Sequence, residues 1–171
     1  ITGFENLTGS AFADSMTGSS ADNVMDGGAG TDTLSYANAA SGVTVNLSTV
    51  GAHVTGGAVT DTITNIENLL GSAFNDTLTG DGNNNVIDGG AGSDNMSYSN
   101  ATSAVTVNLT TVGSQNTGGG GNDTLTSIEG LIGSVFNDTL TGDANDNTMD
   151  GGLGNDTLTG AAGTDTLSYA S

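Results

Sequence analysis

Aspartate recurs in this sequence at the sixth position of glycine-rich segments that are nine residues long. Pairs of these aspartates lie two nonapeptides apart, namely Asp14 with Asp32, Asp76 with Asp94, and Asp138 with Asp156. If one turn of a repeating fold takes two nonapeptides, the members of each pair stack on neighbouring turns. Calcium takes six to eight oxygen ligands, and a tight turn presents backbone carbonyl oxygens beside an aspartate carboxylate. The spacing therefore predicts several calcium ions in the turns.

Backbone carbonyls of glycine are the second class of ligand expected at these turns. They are assigned to Gly28, Gly30, Gly90, Gly92, Gly152 and Gly154. On the opposite edge the sixth residue is Asn23, Asn85 or Asn147, and only Asn147 has an aspartate two nonapeptides later, Asp165. We expect metal ligands at Asn147 and Asp165, and no complete ladder of sites along that edge.

The charge balance supports bound cations. The chain of 171 residues has 19 acidic residues, no lysine and no arginine, and its net charge is −19. Such a chain is either disordered or folds with bound cations. Regular spacing of the apolar residues favours a fold. Because cysteine is absent, thiolate metal sites are excluded and hard oxygen ligands remain.

The same composition excludes other functions. Without a positive side chain, the sequence offers no surface for nucleic acid or anionic membranes. No apolar run approaches the roughly 20 residues that a membrane span needs, and no basic segment marks a signal peptide. The single histidine, His53, lies in a loop, where we expect it to be solvated. No catalytic constellation is present, so we predict that the protein is not an enzyme.

Acidic residues outside the sixth position have other predicted roles. Solvated surface positions are expected for Asp22, Asp81, Asp143 and Asp146. Asp26, Asp88 and Asp150 precede a double glycine and are either turn residues or support for a metal ligand. Glu5, Glu67 and Glu129 are expected to hold backbone amides.

Two repeat lengths organise the chain. Phe12, Phe74 and Phe136 recur at one constant interval, which divides one continuous solenoid over residues 1–171 into units 5–66, 67–128 and an incomplete 129–171. The third unit contains one extra nonapeptide, so the nonapeptide is the structural step. Since the last unit stops early, we expect this chain to be part of a longer one.

Each nonapeptide is expected to form a turn followed by a short strand. Gly, Asp and Asn favour the turn, and triplets such as "TLT" place one apolar side chain inward between two outward threonines. Apolar residues then recur every nine positions, as in the series Leu69, Leu78, Ile87, Met96 and Val105. One nonapeptide buries a single large side chain, so neighbours must complete the core. The "GVTVNL", "AVTVNL", "TITNI" and "TLTSI" segments are predicted to add strands, with the glycine-rich loops between them bulging outward.

The nonapeptides "GGLGNDTLT", "GAAGTDTLS" and "GGAGTDTLS" resemble the G-G-x-G-x-D-x-U-x calcium-binding repeats of the RTX family. The resemblance covers essentially the whole chain through ten in-phase nonapeptides. It implies an all-β fold, a parallel β-roll or β-solenoid with two nonapeptides per turn and calcium ions in the turns. The longer repeat unit is similar to modules of large secreted bacterial proteins, which implies a location outside the cell.

Three functions fit such an array. The leading one is a rigid extracellular rod or fibre that folds on binding calcium, as an adhesin stalk, surface layer or matrix filament, and that could pair end to end with copies of itself. An accessory RTX region of a secreted enzyme or toxin is the alternative. Ice binding is a minor one, suggested by the outward "TLT" triplets at 139–141 and 157–159.

Overall fold

Short β-strands joined by tight turns make up the structure. A computed structural model describes residues 4–49, 51–54 and 59–169. The strands are β1 Asn6–Thr8, β2 Ser15–Thr17, β3 Val24–Asp26, β4 Thr33–Ser35, β5 Thr44–Asn46, β6 Gly51–Val54, β7 Thr60–Thr64, β8 Asn68–Leu70, β9 Thr77–Thr79, β10 Val86–Asp88, β11 Asn95–Ser97, β12 Thr106–Asn108, β13 Ser114–Gly118, β14 Gly121–Thr126, β15 Gly130–Ile132, β16 Thr139–Thr141, β17 Thr148–Asp150, β18 Thr157–Thr159 and β19 Thr166–Ser168. Within the described ranges no helix is long and apolar enough to cross a membrane.

The predicted division of the nonapeptide into turn and strand is confirmed. In β4, Leu34 is fully buried between two partly exposed neighbours, and Leu78 of β9 and Leu140 of β16 are fully buried at the same central position. Side chains alternate between the two faces of a strand, so a three-residue strand directs its middle residue to one face. One apolar residue per nonapeptide is therefore enough to build the core.

The described strands form four sheets along the stack. The first contains β1, β3, β7 and β6; the second β2, β4, β8, β10, β14 and β13; the third β5, β9, β11, β15, β17 and β19; and the fourth β12, β16 and β18. Successive coils pair in parallel, with antiparallel pairing only of β6 with β7 and β13 with β14 among the described strands. The predicted all-β parallel roll is confirmed.

The spacing between stacked strands changes in a regular way. Paired strands are 18 residues apart in nonapeptide stretches, as in β2 and β4. Across each longer segment the spacing becomes 38 for β3 with β7, 35 for β4 with β8 and 33 for β5 with β9. The next unit repeats these spacings. A coil with two strands therefore gives way to coils with three strands, each strand in a different sheet.

This path corrects the predicted apolar series at one residue. The nine-residue spacing placed Val105 after Met96, but the strand that follows is β12, in which Val107 lies opposite Leu140 of β16. Val105 is also buried, just outside β12. The strand begins later than the nonapeptide period predicts because residues 98–104 form a longer turn.

The predicted outward loops of the longer segments are instead β-hairpins. Strand β6 pairs with β7, and β13 pairs with β14. His53 lies in β6 and is only 6% exposed, so the prediction of a solvated histidine is wrong. The sequence "TGGA" at 55–58 of the first of these loops lies outside the described residues.

The core is a continuous stack of aliphatic side chains. Its fully buried members include Met25, Leu34, Val45, Leu69, Leu78, Ile87, Met96, Leu131 and Leu140. Burying one such side chain contributes about 1.5–3 kcal/mol. Because each coil contributes so few of them, the stability of any coil depends on the coils above and below it.

Candidate metal sites at the turns

Acidic side chains connect neighbouring coils at the turns. Asp32 Oδ1 accepts the backbone N–H of Asp14 at 2.8 Å. The equivalent bonds join Asp94 to Asp76 and Asp156 to Asp138, also at 2.8 Å. The structure thus stacks the three aspartate pairs that their spacing predicted. In each pair, the backbone N–H of the earlier aspartate (the lower member) donates to one carboxylate oxygen of the later aspartate (the upper member). The two carboxylates are not bonded to each other.

The lower member of each pair belongs to a turn that contains serine, which we call a Ser corner: residues 9–14, 71–76 and 133–138. In the second of these, the Ser72 backbone N–H donates to Asp76 Oδ2 at 2.6 Å and the Ser72 hydroxyl donates to Asp76 Oδ1 at 2.7 Å. Ser10 with Asp14 and Ser134 with Asp138 are likewise bonded through N–H and hydroxyl. The protein itself satisfies the carboxylate of a Ser corner.

The upper member belongs to a turn with two leading glycines, which we call a Gly corner: residues 27–32, 89–94 and 151–156. Asp32 Oδ2 and Asp94 Oδ2 are buried and have no hydrogen-bond partner. A buried charged oxygen without a partner costs several kcal/mol unless something compensates it. Among the described residues, these two atoms are the strongest indication that the Gly corners fit a cation.

The Gly corners also have their own backbone conformation. Gly90 and Gly92 have φ of 95° and 143°, a region that glycine adopts without steric penalty. A Cβ on Gly90 would also clash with the carbonyl oxygen of Ser72 in the coil below. The predicted glycines Gly28, Gly30, Gly152 and Gly154 have positive φ as well. Gly corners therefore stack closely on Ser corners, with carboxylates and carbonyls of both in one region.

The residue before each Gly corner explains the unpartnered oxygen. Asp88 Oδ1 accepts the backbone N–H of Gly90 at 3.1 Å. In a Ser corner, the equivalent N–H donates to the sixth-position aspartate instead. Asp26 and Asp150 bond to Gly28 and Gly152 in the same manner as Asp88. Of the two roles open for these aspartates, the structure shows the turn bond.

The opposite edge differs from the prediction. Asn23 donates its N–H to Asp61 Oδ1 at 2.8 Å, and Asn85 donates to Asp123 Oδ1 at 3.0 Å. Each acceptor lies 38 residues beyond its asparagine, not 18. The sequence interpretation missed Asp61 and Asp123, whose recurrence in consecutive units was the available signal. Asn147 does pair with Asp165 at the predicted spacing, N–H to Oδ1 at 3.0 Å.

Asp61 and Asp123 lie in buried polar networks, not in open turns. The Tyr98 hydroxyl donates to Asp123 Oδ2 at 3.0 Å, and the Thr117 hydroxyl bonds to the same oxygen at 3.2 Å. Burial raises the pKa of Asp123, although its hydrogen bonds oppose this. Burial and the adjacent carboxylate likewise raise the pKa of Tyr98, so the tyrosine is a neutral donor. Tyr36 donates to Asp61 in the first unit.

His53 is a structural residue of the first hairpin. Its Nδ1 accepts the N–H of Asn46 at 3.3 Å, and its Nε2 lies 3.0 Å from the Thr49 carbonyl oxygen. This arrangement requires the neutral tautomer protonated on Nε2. Burial lowers the pKa of His53, while the Thr49 bond and the Asp61 charge oppose the shift. Gln115 occupies the same place in the second unit and bonds to both the N–H and the carbonyl of Asn108.

Two of the glutamates bind backbone amides, as predicted. Glu67 Oε2 accepts the Asp32 N–H at 2.7 Å, and Glu129 Oε2 accepts the Asp94 N–H at 2.9 Å. Carboxylates from three successive coils therefore line up in two series, Asp14 with Asp32 and Glu67, and Asp76 with Asp94 and Glu129. Burial raises the pKa of Asp94 to about 6, and the charges of Asp76 and Glu129 add to the increase. The hydrogen bond from the Asp76 backbone N–H acts in the opposite direction and lowers the pKa.

The donor set fits calcium if most ligands are backbone oxygens. Within the described ranges, no three acidic or histidine side chains lie close enough to hold a metal by themselves. Calcium accepts carbonyl oxygens alongside few carboxylates, and it prefers hard oxygen to nitrogen or sulfur. A buried carboxylate oxygen without a donor, beside glycine turns, meets those requirements.

Comparison with known proteins agrees with this chemistry. A family model described as the RTX calcium-binding nonapeptide repeat matches four stretches, residues 2–34, 61–96, 117–127 and 132–167. These stretches make up more than half of the chain and include all three Gly corners. The comparison with curated proteins gave no match.

Proposed function

Because this chain belongs to the RTX calcium-binding nonapeptide repeat family, whose repeats bind Ca²⁺, we propose that it is a structural solenoid that calcium folds and stiffens outside the cell. The observation that carries the proposal is the pair of buried, unpartnered oxygens, Asp32 Oδ2 and Asp94 Oδ2. They belong to a chain of net charge −19 with no lysine or arginine. Calcium supplies positive charge at these turns when it is bound.

The Gly corners are the proposed sites. Asp32, Asp94 and Asp156 each direct one oxygen to the coil below and keep the other for the ion. Carbonyl oxygens of the Gly corner glycines complete the ligand set. Asp14, Asp76 and Asp138 support the corner from below through their backbone N–H groups. Ligation of an ion by these three, and by Asn147 and Asp165, stays a prediction.

Calcium at millimolar concentration is sufficient for such a role. Extracellular calcium modules bind at about 10⁻⁴ to 10⁻³ M, and at a tenfold excess each site adds about 1.4 kcal/mol to the stability of the fold. Total stabilities of folded domains are only about 5–15 kcal/mol. A few sites therefore decide whether the stack forms. Concentrations this high are typical of extracellular fluid, which favours a location outside the cell.

A rod is the shape that the repeat supports. Units 5–66 and 67–128 repeat the same pairings at spacings of 38, 35 and 33 residues, so further units can continue the stack without a change in design. We propose that residues 1–171 form one stretch of such a solenoid, and that it serves as a spacer or filament segment of a bacterial surface or matrix protein.

Circular dichroism and light scattering during a calcium titration test the proposal. We expect the strand signal to increase with calcium and to disappear in excess chelator. Magnesium at the same concentration is the control, because it demands octahedral geometry and dehydrates reluctantly. Equal strand signal in chelator and in calcium contradicts calcium-dependent folding. Scattering that increases with the strand signal indicates a self-assembling filament, and a constant scattering signal indicates a monomeric spacer.

A further inference from the structure

We infer that the residue before each turn and the residue at its second position together decide whether its sixth-position aspartate binds calcium. An aspartate immediately before the double glycine accepts the backbone N–H of the second glycine, and this leaves one oxygen of the sixth-position carboxylate free for the ion. A serine at the second position instead donates its backbone N–H and its hydroxyl to the sixth-position carboxylate, so no oxygen is left for an ion. This inference rests on the proposed calcium sites and assigns a positioning role to Asp26, Asp88 and Asp150.

The argument begins with a single backbone N–H group. In the Ser corner at 71–76, the N–H of Ser72 donates to Asp76 at 2.6 Å. In the Gly corner at 89–94, the equivalent N–H of Gly90 donates to Asp88 at 3.1 Å, and Asp94 Oδ2 receives no bond. Two carboxylates compete for one donor, and Asp88 obtains it.

The residue types at these positions separate the two kinds of corner. Ser corners are preceded by Thr8, Leu70 and Ile132, which have no carboxylate, whereas Gly corners are preceded by Asp26, Asp88 and Asp150. The serine hydroxyl adds a second donor, as in the 2.7 Å bond from Ser72 to Asp76 Oδ1. Ser corners therefore form without a metal, and Gly corners depend on one.

The alternation has a structural use. Each Gly corner stacks directly on a Ser corner, as where the Ala91 N–H donates to the Ser72 carbonyl at 3.3 Å and the Asp76 N–H donates to Asp94. A metal-independent turn thus provides a preformed base for the turn above it. In each stacked pair, calcium then has to order only the Gly corner.

Substitution of Asp88 tests the inference, with calcium binding measured by isothermal titration calorimetry on the whole chain. Asp88→Leu copies the residue before the Ser corner at 71–76 and frees the Gly90 N–H to bond with Asp94. We expect this variant to bind one ion fewer than the unmodified chain, or to bind it at least tenfold more weakly. Asp88→Asn removes the charge but keeps an oxygen for the Gly90 N–H, so it should bind the full number of ions.

The outcomes separate this inference from the proposed function. Unmodified chain that binds no calcium contradicts both. Unmodified chain that binds calcium while Asp88→Leu binds equally well contradicts the positioning role alone. Equal losses in Asp88→Leu and Asp88→Asn show that the charge of Asp88 matters and not its bond to Gly90, which also overturns the inference. Circular dichroism at saturating calcium checks folding, and Asp26→Leu repeats the test in the first unit if Asp88→Leu does not fold.

Discussion

Asp94 accepts the backbone N–H of Asp76 at one carboxylate oxygen, 2.8 Å away, while its other oxygen is buried without a partner. We expect this half-satisfied carboxylate to make the fold sensitive to calcium and to protons. Both a cation and a proton relieve the same buried negative charge, so they compete at this position.

The first prediction concerns pH in the absence of calcium. The pKa of Asp94 rises to about 6 in the fold, above its ordinary value of 3.8. A carboxyl whose pKa is raised by folding holds its proton more tightly in the folded state, so the stabilisation is complete below the ordinary pKa of 3.8 and is lost as the pH increases from there through about 6. In excess chelator and in a His53→Gln background, which removes the opposing titration of His53, we expect a larger folded fraction at pH 5 than at pH 7.5, measured by circular dichroism.

Asp94→Asn is the matched control for that experiment. Asn85 shows that asparagine fits the sixth position, where its side-chain oxygen accepts the Asp81 N–H at 3.1 Å. The folded fraction of the variant should change less between pH 5 and pH 7.5, because the variant lacks the titrating carboxyl. In the same His53→Gln background, a pH profile that is identical with and without Asp94→Asn contradicts the assignment to Asp94.

A second prediction concerns the buried tyrosine beside the second hairpin. Tyr98→Phe removes the hydroxyl that donates to Asp123 Oδ2 and leaves Thr117 as the remaining side-chain donor to that oxygen. Loss of a donor to a buried acceptor costs about 1–3 kcal/mol. We expect a decrease of that size in the unfolding free energy, measured by urea denaturation at saturating calcium. Tyr169→Phe is the control, since Tyr169 is 84% exposed and its replacement should change little.

Replacement of His53 by glutamine is expected to remove a sensitivity to acid. Folding lowers the pKa of His53, so the neutral ring contributes stability above its ordinary pKa of 6.5, and this is lost as the pH falls. His53→Gln introduces the residue found at position 115, which accepts the N–H of Asn108 as His53 accepts that of Asn46, and which donates to the Asn108 carbonyl. At saturating calcium, the variant should match the unmodified chain at pH 7.5 and unfold at higher urea concentration at pH 5. Equal urea midpoints at pH 5 would contradict a buried neutral histidine.

A fourth prediction tests the apolar stack. Leu78 is fully buried and lies between Val45 and Met96 in the third sheet. Leu78→Ala leaves a cavity, and such substitutions cost about 2–5 kcal/mol. We expect a loss of that size in urea denaturation at saturating calcium. Leu153→Ala serves as the comparison, because Leu153 is 60% exposed and should cost far less.

Much of the fold was predictable because its rules are local. A strand of three residues with one apolar centre, followed by a glycine turn, can be recognised within a single nonapeptide, and the structure confirms it at Leu34, Leu78 and Leu140. The stacking of Asp32 on Asp14 followed from a turn of two nonapeptides, which the resemblance to the RTX repeats implied. Similar nonapeptide patterns in succession leave few other ways to bury the apolar residues.

The features that the sequence did not predict depend on the path of the longer segments between nonapeptide stretches. The partners of Asn23 and Asn85 lie 38 residues away, because a third strand and a hairpin intervene before the chain returns to the same edge. The burial of His53 has the same origin, since the hairpin folds against the stack. No local period contains that information.

The sequence by itself determined the nine-residue alternation of turn and strand and the need of a chain with net charge −19 for cations. Both are properties of residue types and their spacing. Only the tertiary structure decided which oxygens are free for those cations. Asp76 and Asp94 have the same motif position, yet a serine donor satisfies one and Asp88 takes the donor from the other. That difference arises from competition for individual hydrogen bonds in the folded turn, which depends on backbone conformation.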